Sequence, residues 1–243
     1  MKLQDKCAII TGGSKGLGKV LAQKFISEGA KVAICSRNKK ELEAVHKQLS
    51  SSGSAVLALP CDISNSQESQ KFVEKVLDEF GHVDILINNA SRLGPRVSIA
   101  EYPLNEWDET VQTNINGSFF ITRLVLPAMI RRKSGSIINI SSSVGKAGRA
   151  KWGAYAVSKF ALEGFTQVLA EEVKQYNITV NSVNPGAMAT ALRREAYPEE
   201  DQSLLRTPDQ VTDIFVYLAS DDGLGISGQS FDASTFISKP RVV

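Results

Sequence analysis

The sequence has little cysteine and histidine for its length. Its 243 residues include three cysteines, Cys7, Cys35 and Cys61, and two histidines, His46 and His82. No CxxC pair or Cys/His cluster is present, which argues against a structural zinc site, and we expect no metal. An odd number of widely spaced cysteines is also unlike a disulfide scaffold. We therefore interpret all three as free thiols in a reducing, cytoplasmic compartment.

Long hydrophobic runs and strong charge are also absent. No stretch approaches the roughly 18 consecutive apolar residues of a membrane-spanning helix, so no membrane partner is expected. The net charge is +2, which argues against a dedicated nucleic-acid binder. Hydrophobic residues make up 42% of the chain and no linker or repeat interrupts it, so we predict one globular domain over residues 1–243.

Short apolar runs alternate with longer segments of helical period. The predicted strands are Cys7–Ile10, Lys31–Cys35, Ala55–Leu59, Val83–Asn88, Ser136–Ile140, Thr179–Val183 and Gln229–Asp232. The predicted helices are Gly16–Glu28, Lys39–Ser51, Ser66–Phe80, Asn105–Arg132, Ala154–Tyr176 and Pro208–Ser220. Continuous apolar strands are typical of parallel sheets that are covered on both faces. The pattern predicts an α/β fold, a Rossmann-like doubly wound parallel sheet of about seven strands with helices on both faces.

A glycine-rich turn, Thr11–Gly18, links the first predicted strand to the first helix. Glycines permit close approach to a pyrophosphate, and the helix N-terminus presents free N–H groups. The alternative of a P-loop is disfavoured, because Val20 replaces the required hydroxyl residue. The expected cofactor contacts here are Gly12, Ser14, Lys15, Gly16, Leu17 and Gly18.

The end of the second strand predicts which dinucleotide binds. It carries Ser36 and Arg37 and no carboxylate of the kind that binds a ribose hydroxyl. Arg37, with Lys15 nearby, suits a 2′-phosphate, which favours NADP(H) over NAD(H). After the third strand, Asp62, beside Ile63, is expected either to accept from the adenine amino group or to cap a helix.

A candidate catalytic group lies at the start of the fifth predicted helix. Tyr155 and Lys159 are four positions apart, so they share one helical face. An ammonium group nearby is expected to lower the pKa of the tyrosine. Ser142 follows the strand Ser136–Ile140, which places its hydroxyl at a carboxyl strand end, where open α/β sheets bind ligands.

Together these motifs resemble the short-chain dehydrogenase/reductase family over essentially the whole chain, near an uncharacterised bacterial branch and the 3-oxoacyl-carrier-protein reductases. The matching elements are Thr11–Gly18, Asn88-Asn89-Ala90, Asn114 in Asn-Ile-Asn-Gly, Ser142, Tyr155, Lys159, and Pro185-Gly186 followed by Thr190. The resemblance implies an oxidoreductase acting on a small carbonyl or alcohol, with Tyr155 as general acid/base and Ser142 polarising the carbonyl. It also implies that Lys159 binds the nicotinamide ribose, Asn114 anchors a proton relay and Thr190 touches the carboxamide.

The resemblance extends to the remaining site residues and to assembly. Asn88, Asn89 and Ala90 are expected against the adenosine, and Pro185 and Gly186 near the nicotinamide. A homodimer or homotetramer is implied through the two long helices. Ser91 departs from the usual glycine. It is expected to cost little if its φ is negative, but to crowd the ligand cleft. A non-catalytic dinucleotide sensor on the same fold remains the alternative, and the substrate is not identified.

A basic, partly aromatic rim and an irregular segment are expected on the substrate side. The rim residues are Arg92, Arg96, Arg149, Lys151 and Trp152, and they would suit an anionic or acyl-thioester substrate or be ordinary solvated surface. The segment Ala187–Arg206 is polar and irregular, as in a loop over a site.

Overall fold

A seven-stranded parallel sheet forms the centre of the protein, as seen in a computed structural model that describes residues 1–50 and 53–236. The strand order is β3-β2-β1-β4-β5-β6-β7. These strands are β1 (Cys7–Thr11), β2 (Lys31–Ser36), β3 (Val56–Pro60), β4 (Ile85–Asn88), β5 (Gly135–Ile140), β6 (Ile178–Asn184) and β7 (Ser230–Asp232). The predicted fold class is therefore confirmed. Since the order reverses direction between β1 and β4, a crevice opens there at the carboxyl ends of the strands.

Helices cover both faces of the sheet. Within the described residues the α-helices are α1 (Gly16–Ser27), α2 (Lys39–Ser50), α3 (Ser66–Phe80), α4 (Leu104–Val111), α5 (Gly117–Arg132), α6 (Gly153–Val173), α7 (Ala191–Ala196) and α8 (Asp213–Ala219). Ser51, the last residue of the second predicted helix, lies outside the described residues. None of the helices in the described part of the chain is long and apolar enough to cross a membrane.

Two hydrophobic layers hold the helices to the sheet. Ile10 of β1 belongs to one cluster with Phe25 of α1 and Phe215 of α8. Ile9, its neighbour in the same strand, belongs to the opposite cluster with Phe72 of α3. Successive side chains of a strand point to opposite faces, so a strand buried on both faces is largely apolar along its whole length. All five residues of β1 are buried, which explains the continuous apolar run.

The long predicted helix Asn105–Arg132 is interrupted. Residues Gln112–Asn116 form a π-helical turn between α4 and α5, so the chain carries extra residues in that turn. Asn114, in the middle of this turn, is buried. Hydrophobic periodicity did not distinguish this turn from a regular helix, because the apolar pattern continues on both sides.

The last third of the chain also differs in detail from the prediction. The short helix α7 lies inside the segment Ala187–Arg206, which was expected to be irregular. Pro208 begins a separate 3-10 turn that ends at Val211, and α8 starts at Asp213. The Thr207 backbone N–H donates to Gln210 Oε1 over 2.9 Å, so Thr207 caps that turn rather than α8.

Candidate active site

A cavity of about 620 Å³ lies at the carboxyl ends of the strands. It brings together almost every residue expected in the cofactor and catalytic site. Those lining it are Gly12, Ser14, Lys15, Gly16, Leu17, Ser36, Arg37, Asp62, Ile63, Asn89, Ala90, Ser142, Tyr155, Lys159, Pro185, Gly186 and Thr190. Gly18 and Asn114 are not part of this lining.

The adenosine end of the cleft, as we use the term, is the part formed by the glycine turn and the ends of β2 and β3. The catalytic end is the part around Tyr155.

The glycine turn requires glycine for two different reasons. Gly12 has a φ of 66°, which side chains with a Cβ rarely adopt. Gly18 lies in α1, where a Cβ atom would come within 2.5 Å of both the Gly12 carbonyl oxygen and Asn89 Nδ2. Gly18 therefore lets the turn and the β4 end approach each other, although it does not itself face the cavity.

Thr11 and Asn89 connect the glycine turn to the end of β4. The amide N–H groups of Asn89 and Ala90 both donate to Thr11 Oγ1 over 3.0 Å. Asn89 Nδ2 donates to the Thr11 carbonyl over 2.8 Å. The expectation that Asn88 packs against the adenosine is wrong, because its amide is buried and donates to Thr122 Oγ1 and Asn139 Oδ1. Sequence analysis gave Thr11 no such role, since a threonine at a strand end carries no specific signal.

The adenosine end carries exposed cations and a short chain of polar groups. Lys15 and Arg37 are exposed, and neither forms an ion pair with another described residue. Ser14 Oγ lies 2.9 Å from Ser36 Oγ. Asp62 accepts from the Ser64 N–H and hydroxyl over 3.0 and 2.7 Å. The helix-cap interpretation of Asp62 is wrong, because Asn65 caps α3.

Ser142, Tyr155 and Lys159 form the catalytic end. All three side chains line the same cavity. Lys159 Nζ lies 5.4 Å from the centre of the Tyr155 ring and donates to the Ile140 carbonyl over 2.7 Å. Burial raises the pKa of Tyr155 to about 12, against the opposing effect of the neighbouring Ser142 hydroxyl. The expected lowering of this pKa is therefore wrong, because desolvation of the phenolate outweighs the polar contacts.

Glu163 lies one helical turn beyond Lys159 and is also buried. Its carboxylate accepts hydrogen bonds from Ser141, from Ser182 over 2.7 Å and from Ser230 over 3.1 Å. Burial lowers the pKa of Lys159 to about 8, and the nearby Glu163 charge raises it in opposition. Sequence analysis missed Glu163, although its position four residues after Lys159 was a usable signal.

Asn114 is held behind the cavity by its own amide. Asn114 Nδ2 donates to the Arg92 carbonyl and to Ser158 Oγ, each over 2.9 Å, and Asn114 Oδ1 accepts from the Arg92 N–H over 2.8 Å. Ser158 in turn donates to the Tyr155 carbonyl over 2.7 Å. Asn114 therefore ties the π-helical turn to the first turn of the helix that carries Tyr155.

The segment that contains α7 is fixed to the catalytic end by stacked cations and aromatic rings. The Arg96 guanidinium lies 4.8 Å from the Trp152 ring and 4.5 Å from the Tyr197 ring, and it donates to the Ala196 carbonyl. Arg193 lies 4.0 Å from the Tyr197 ring. The Trp152 ring is 5.7 Å from that of Tyr155, so the stack ends beside the candidate acid.

Among the described residues, one cation of the predicted basic rim, Arg92, is neutralised by acidic side chains. Arg92 pairs with Glu106 over 2.6 Å and with Glu109 over 2.9 Å. Of the predicted rim residues, Arg149 and Trp152 line the cavity. Ser91 lines it too, with a φ outside the positive range, and its hydroxyl has no hydrogen-bond partner among the described residues. Serine in place of glycine is therefore accommodated without backbone strain.

The cysteines are free and buried in the described residues. Burial raises the pKa of Cys7 to about 12. Cys35 and Cys61 both line the cavity, and the neighbouring Cys61 thiol together with burial raises the pKa of Cys35 well above its usual value. Within residues 1–50 and 53–236, no group of three or more His, Cys, Asp or Glu side chains is placed to hold a metal ion.

The chain is similar in sequence to known proteins over most of its length. A family model described as short chain dehydrogenase matches residues 6–201. The uncharacterized oxidoreductase YciK of Escherichia coli K12 is 35% identical over 234 residues, covering 95% of this chain and 92% of YciK. The 3-oxoacyl-[acyl-carrier-protein] reductase FabG of Thermotoga maritima is 32% identical over 238 residues, covering 94% of this chain and 96% of FabG.

Solved structures agree with the sequence relatives. A short chain dehydrogenase from Shigella flexneri 2a, crystallised with NADP, superposes with a TM-score of 0.92 at 35% identity, covering 96% of this chain and 98% of that one. A short chain dehydrogenase from Escherichia coli CFT073, crystallised with NADPH, superposes with a TM-score of 0.91 at 35% identity over the same shares. The family match covers most of the chain, and the fold and the cleft agree with it. The chain belongs to the short-chain dehydrogenase family.

Proposed function

We propose that the protein is an NADP(H)-dependent oxidoreductase that transfers a hydride between nicotinamide and a small carbonyl or secondary alcohol, with Tyr155 as general acid/base. The observation that carries this proposal is the pair of Ser142 and Tyr155 in one cavity, with the buried Lys159 ammonium 5.4 Å from the centre of the phenol ring. The pair lies in the same cavity as the glycine turn and the exposed Lys15 and Arg37.

The cofactor and the protein have different parts in the reaction. When bound, NADPH supplies the hydride that reduces the carbonyl carbon. Ser142 and Tyr155 donate hydrogen bonds to the carbonyl oxygen, where negative charge develops. Tyr155 then gives its proton to that oxygen. A pKa of about 12 keeps Tyr155 protonated at neutral pH, which suits an acid in the direction of reduction.

Lys159 stabilises the phenolate that proton transfer leaves on Tyr155. Burial lowers the pKa of Lys159 to about 8, so its amine is mostly protonated at pH 7. The Glu163 carboxylate, held by three serine hydroxyls, supports that positive charge. A charged ammonium in a poorly solvated site favours the phenolate more strongly than it would in water.

The adenosine end suits a 2′-phosphate. Lys15 and Arg37 are exposed cations on the same cavity, and phosphates are commonly held by such residues. Both nucleotide-bound structural neighbours carry NADP or NADPH. The Asp62 side chain and the Ile63 backbone are proposed to contact the adenine, and Pro185, Gly186 and Thr190 the nicotinamide.

Asn114 is proposed to act in the proton relay by positioning other groups. The oxygen and the nitrogen of its side-chain amide are already hydrogen-bonded to Arg92 and Ser158. Asn114 would therefore contribute by holding Tyr155 in place. The pH–rate profile of Asn114→Ala tests this part. An unchanged profile and rate would remove Asn114 from the mechanism.

A homodimer, or a homotetramer that contains it, is proposed to form through α5 and α6. Phe119, Val157, Phe160 and Val168 on these helices are exposed, each by 45% or more. Apolar side chains that cluster on a surface are typical of an interface between copies of a chain. Light scattering on Phe160→Glu tests this, and an oligomer unaffected by the substitution would contradict it.

The whole chain is proposed to form one domain that works in the cytoplasm. Its single seven-stranded sheet supports the first part. Three free cysteines, two of them adjacent in the cofactor cavity, support a compartment in which thiols stay reduced.

The proposed function is tested with a panel of ketones, aldehydes and 3-oxoacyl thioesters. Turnover of each compound is measured by the loss of NADPH absorbance. Tyr155→Phe is the matched control, because it keeps the ring and removes the proton donor. We expect turnover that falls by about 10³-fold in this variant, while NADPH binding stays within a few fold. NADPH binding without turnover of any carbonyl would favour a non-catalytic sensor instead.

A further inference from the structure

Glu41, in the first turn of α2, places a carboxylate in the adenosine end of the cleft. Its side chain lines the same cavity as Lys15 and Arg37. Glu41 Oε2 lies 3.2 Å from the hydroxyl of Ser14, which is nearly fully buried. The acid was not apparent at the end of β2, because it comes from the helix five residues after Ser36.

The two serine hydroxyls link Glu41 to the place expected for the 2′-phosphate. Ser14 Oγ is 2.9 Å from Ser36 Oγ and also within reach of Glu41. A hydroxyl has one proton, and a carboxylate accepts hydrogen bonds only. The arrangement that satisfies all three groups has Ser36 donating to Ser14, and Ser14 donating to Glu41. The Asn38 N–H donates to Ser36 Oγ over 3.3 Å, so Ser36 is used as an acceptor as well.

This arrangement acts against a phosphate in two ways. The negative charge of Glu41 repels a phosphate that is bound by Lys15 and Arg37. In addition, the serine protons point toward Glu41 and are not available to phosphate oxygens. A ribose 2′-hydroxyl is a donor, and it suits a carboxylate acceptor. The same cavity therefore holds two cations that favour the 2′-phosphate of NADP(H) and a carboxylate that favours the free 2′-hydroxyl of NAD(H).

We propose that Glu41 is a specificity-determining residue that narrows the preference for NADP(H), so that NAD(H) is a usable second cofactor. The proposal rests on the proposed function, since it assigns the same cleft to a dinucleotide. Lys15 and Arg37 supply the attraction for the phosphate. Glu41 supplies the opposing charge and the acceptor for a free hydroxyl.

The test compares dissociation constants of NADPH and NADH, measured by nucleotide fluorescence, for the unmodified protein and for Glu41→Gln. We expect the ratio of the NADH constant to the NADPH constant to rise by about tenfold, as when one unit charge is removed beside a phosphate in a partly solvated site. Adenosine 2′,5′-bisphosphate and adenosine 5′-monophosphate, titrated by calorimetry, report on the ribose site alone and should show the same change.

Glu43→Gln is the matched control. Glu43 lies on the same helix, is 66% exposed and pairs with Lys39 over 3.9 Å, so this variant makes the same change of charge outside the cavity. The ratio of the NADH to the NADPH dissociation constant in Glu43→Gln should stay within twofold of the ratio in the unmodified protein. Glu41→Lys should raise the ratio further than Glu41→Gln, which keeps the test usable if one variant is poorly folded.

The outcomes separate the two proposals. If the unmodified protein binds neither dinucleotide, the proposed function fails. If it binds NADPH but both Glu41 variants leave the ratio within twofold, only the inference about Glu41 is overturned. A ratio that rises equally in Glu43→Gln would also overturn it, because the effect would then be one of overall charge.

Discussion

The two ends of the cleft are built in different ways. At the adenosine end the charged side chains, Lys15, Arg37, Glu41 and Asp62, are exposed or half-buried around a turn of backbone groups. At the catalytic end Tyr155 and Lys159 are buried, and their pKa values move to about 12 and about 8. The two ends share one cavity and one sheet edge.

The difference shows what each end needs from the protein. Exposed charges bind an anion while staying solvated, and they need little change in proton affinity. Proton transfer needs groups whose proton affinities are set by burial and by fixed neighbours, such as Ser142 and Glu163. The following predictions test this contrast, in order of decreasing effect.

The largest effect is expected from Gly18→Ala, which tests whether backbone packing sets the adenosine end. The new methyl group would lie 2.5 Å from the Gly12 carbonyl oxygen. Overpacking of this kind costs roughly 1–3 kcal/mol, which corresponds to a loss of up to about 100-fold in NADPH affinity. Calorimetric titration measures it. Gly148→Ala is the control, because nothing lies within 4 Å of its Cβ position. Equal affinities for the two variants would contradict the packing argument.

Arg37→Ala tests whether an exposed charge is sufficient for phosphate recognition. We expect NADPH affinity to fall about 20-fold and NADH affinity to change less than about twofold, because the guanidinium is proposed to contact the 2′-phosphate, which NADH lacks. Lys39→Ala, which removes the same charge two residues away at a 73% exposed side chain, should leave both affinities nearly unchanged. An equal loss for both dinucleotides in Arg37→Ala would show that Arg37 is not a phosphate ligand.

The pH profile of carbonyl reduction tests the buried end. Lys159 carries its charge below a pH of about 8 and loses it above, so kcat/KM should fall at higher pH. The fall approaches about tenfold per pH unit. Glu163 raises the pKa of Lys159, so Glu163→Gln should move the fall to lower pH. An identical pH profile in the unmodified protein and in Glu163→Gln would show that Lys159 is not the group whose titration lowers kcat/KM.

The smallest effect is expected from Arg96→Met, which tests the stack beside Tyr155. The substitution keeps much of the side-chain volume and removes the contacts with the Trp152 and Tyr197 rings. A cation–π contact of about 0.5–1 kcal/mol corresponds to amide exchange about two- to fivefold faster. Hydrogen-exchange mass spectrometry of residues 190–206 measures it. Arg131→Met, at the exposed end of α5, is the control, and equal exchange in both variants would contradict the role of the stack.

Much of the fold follows from local chemistry in the sequence. The strands of a parallel sheet that is covered on both faces are largely apolar, so β1 to β6 could be located from their short apolar runs. Strand β6 is fully buried and yet contains polar residues such as Asn181 and Ser182. Glycine spacing and strand ends then placed Gly12, Arg37 and Ser142 at one edge of the sheet, where the cavity lies.

Other features depend on contacts between distant segments. Glu41 enters the cleft because α2 turns it toward Ser14, and no motif marks that direction. The pKa of Tyr155 depends on burial, which the spacing of Tyr155 and Lys159 does not give. Helix α7 is short, and its last residue, Ala196, accepts a hydrogen bond from Arg96, a hundred residues earlier in the chain.

The π-helical turn at Gln112–Asn116 has a consequence for how this gene can change. Losing one codon there would convert the turn into regular α-helix and leave α4 and α5 close to their present orientation, because a π-helical turn holds one extra residue in nearly the same total rotation. The contacts of Asn114 with Arg92 and Ser158 would be lost, since the wide turn is what carries Asn114. We therefore expect single-residue deletions in this turn to leave the fold intact and to impair the placement of Tyr155.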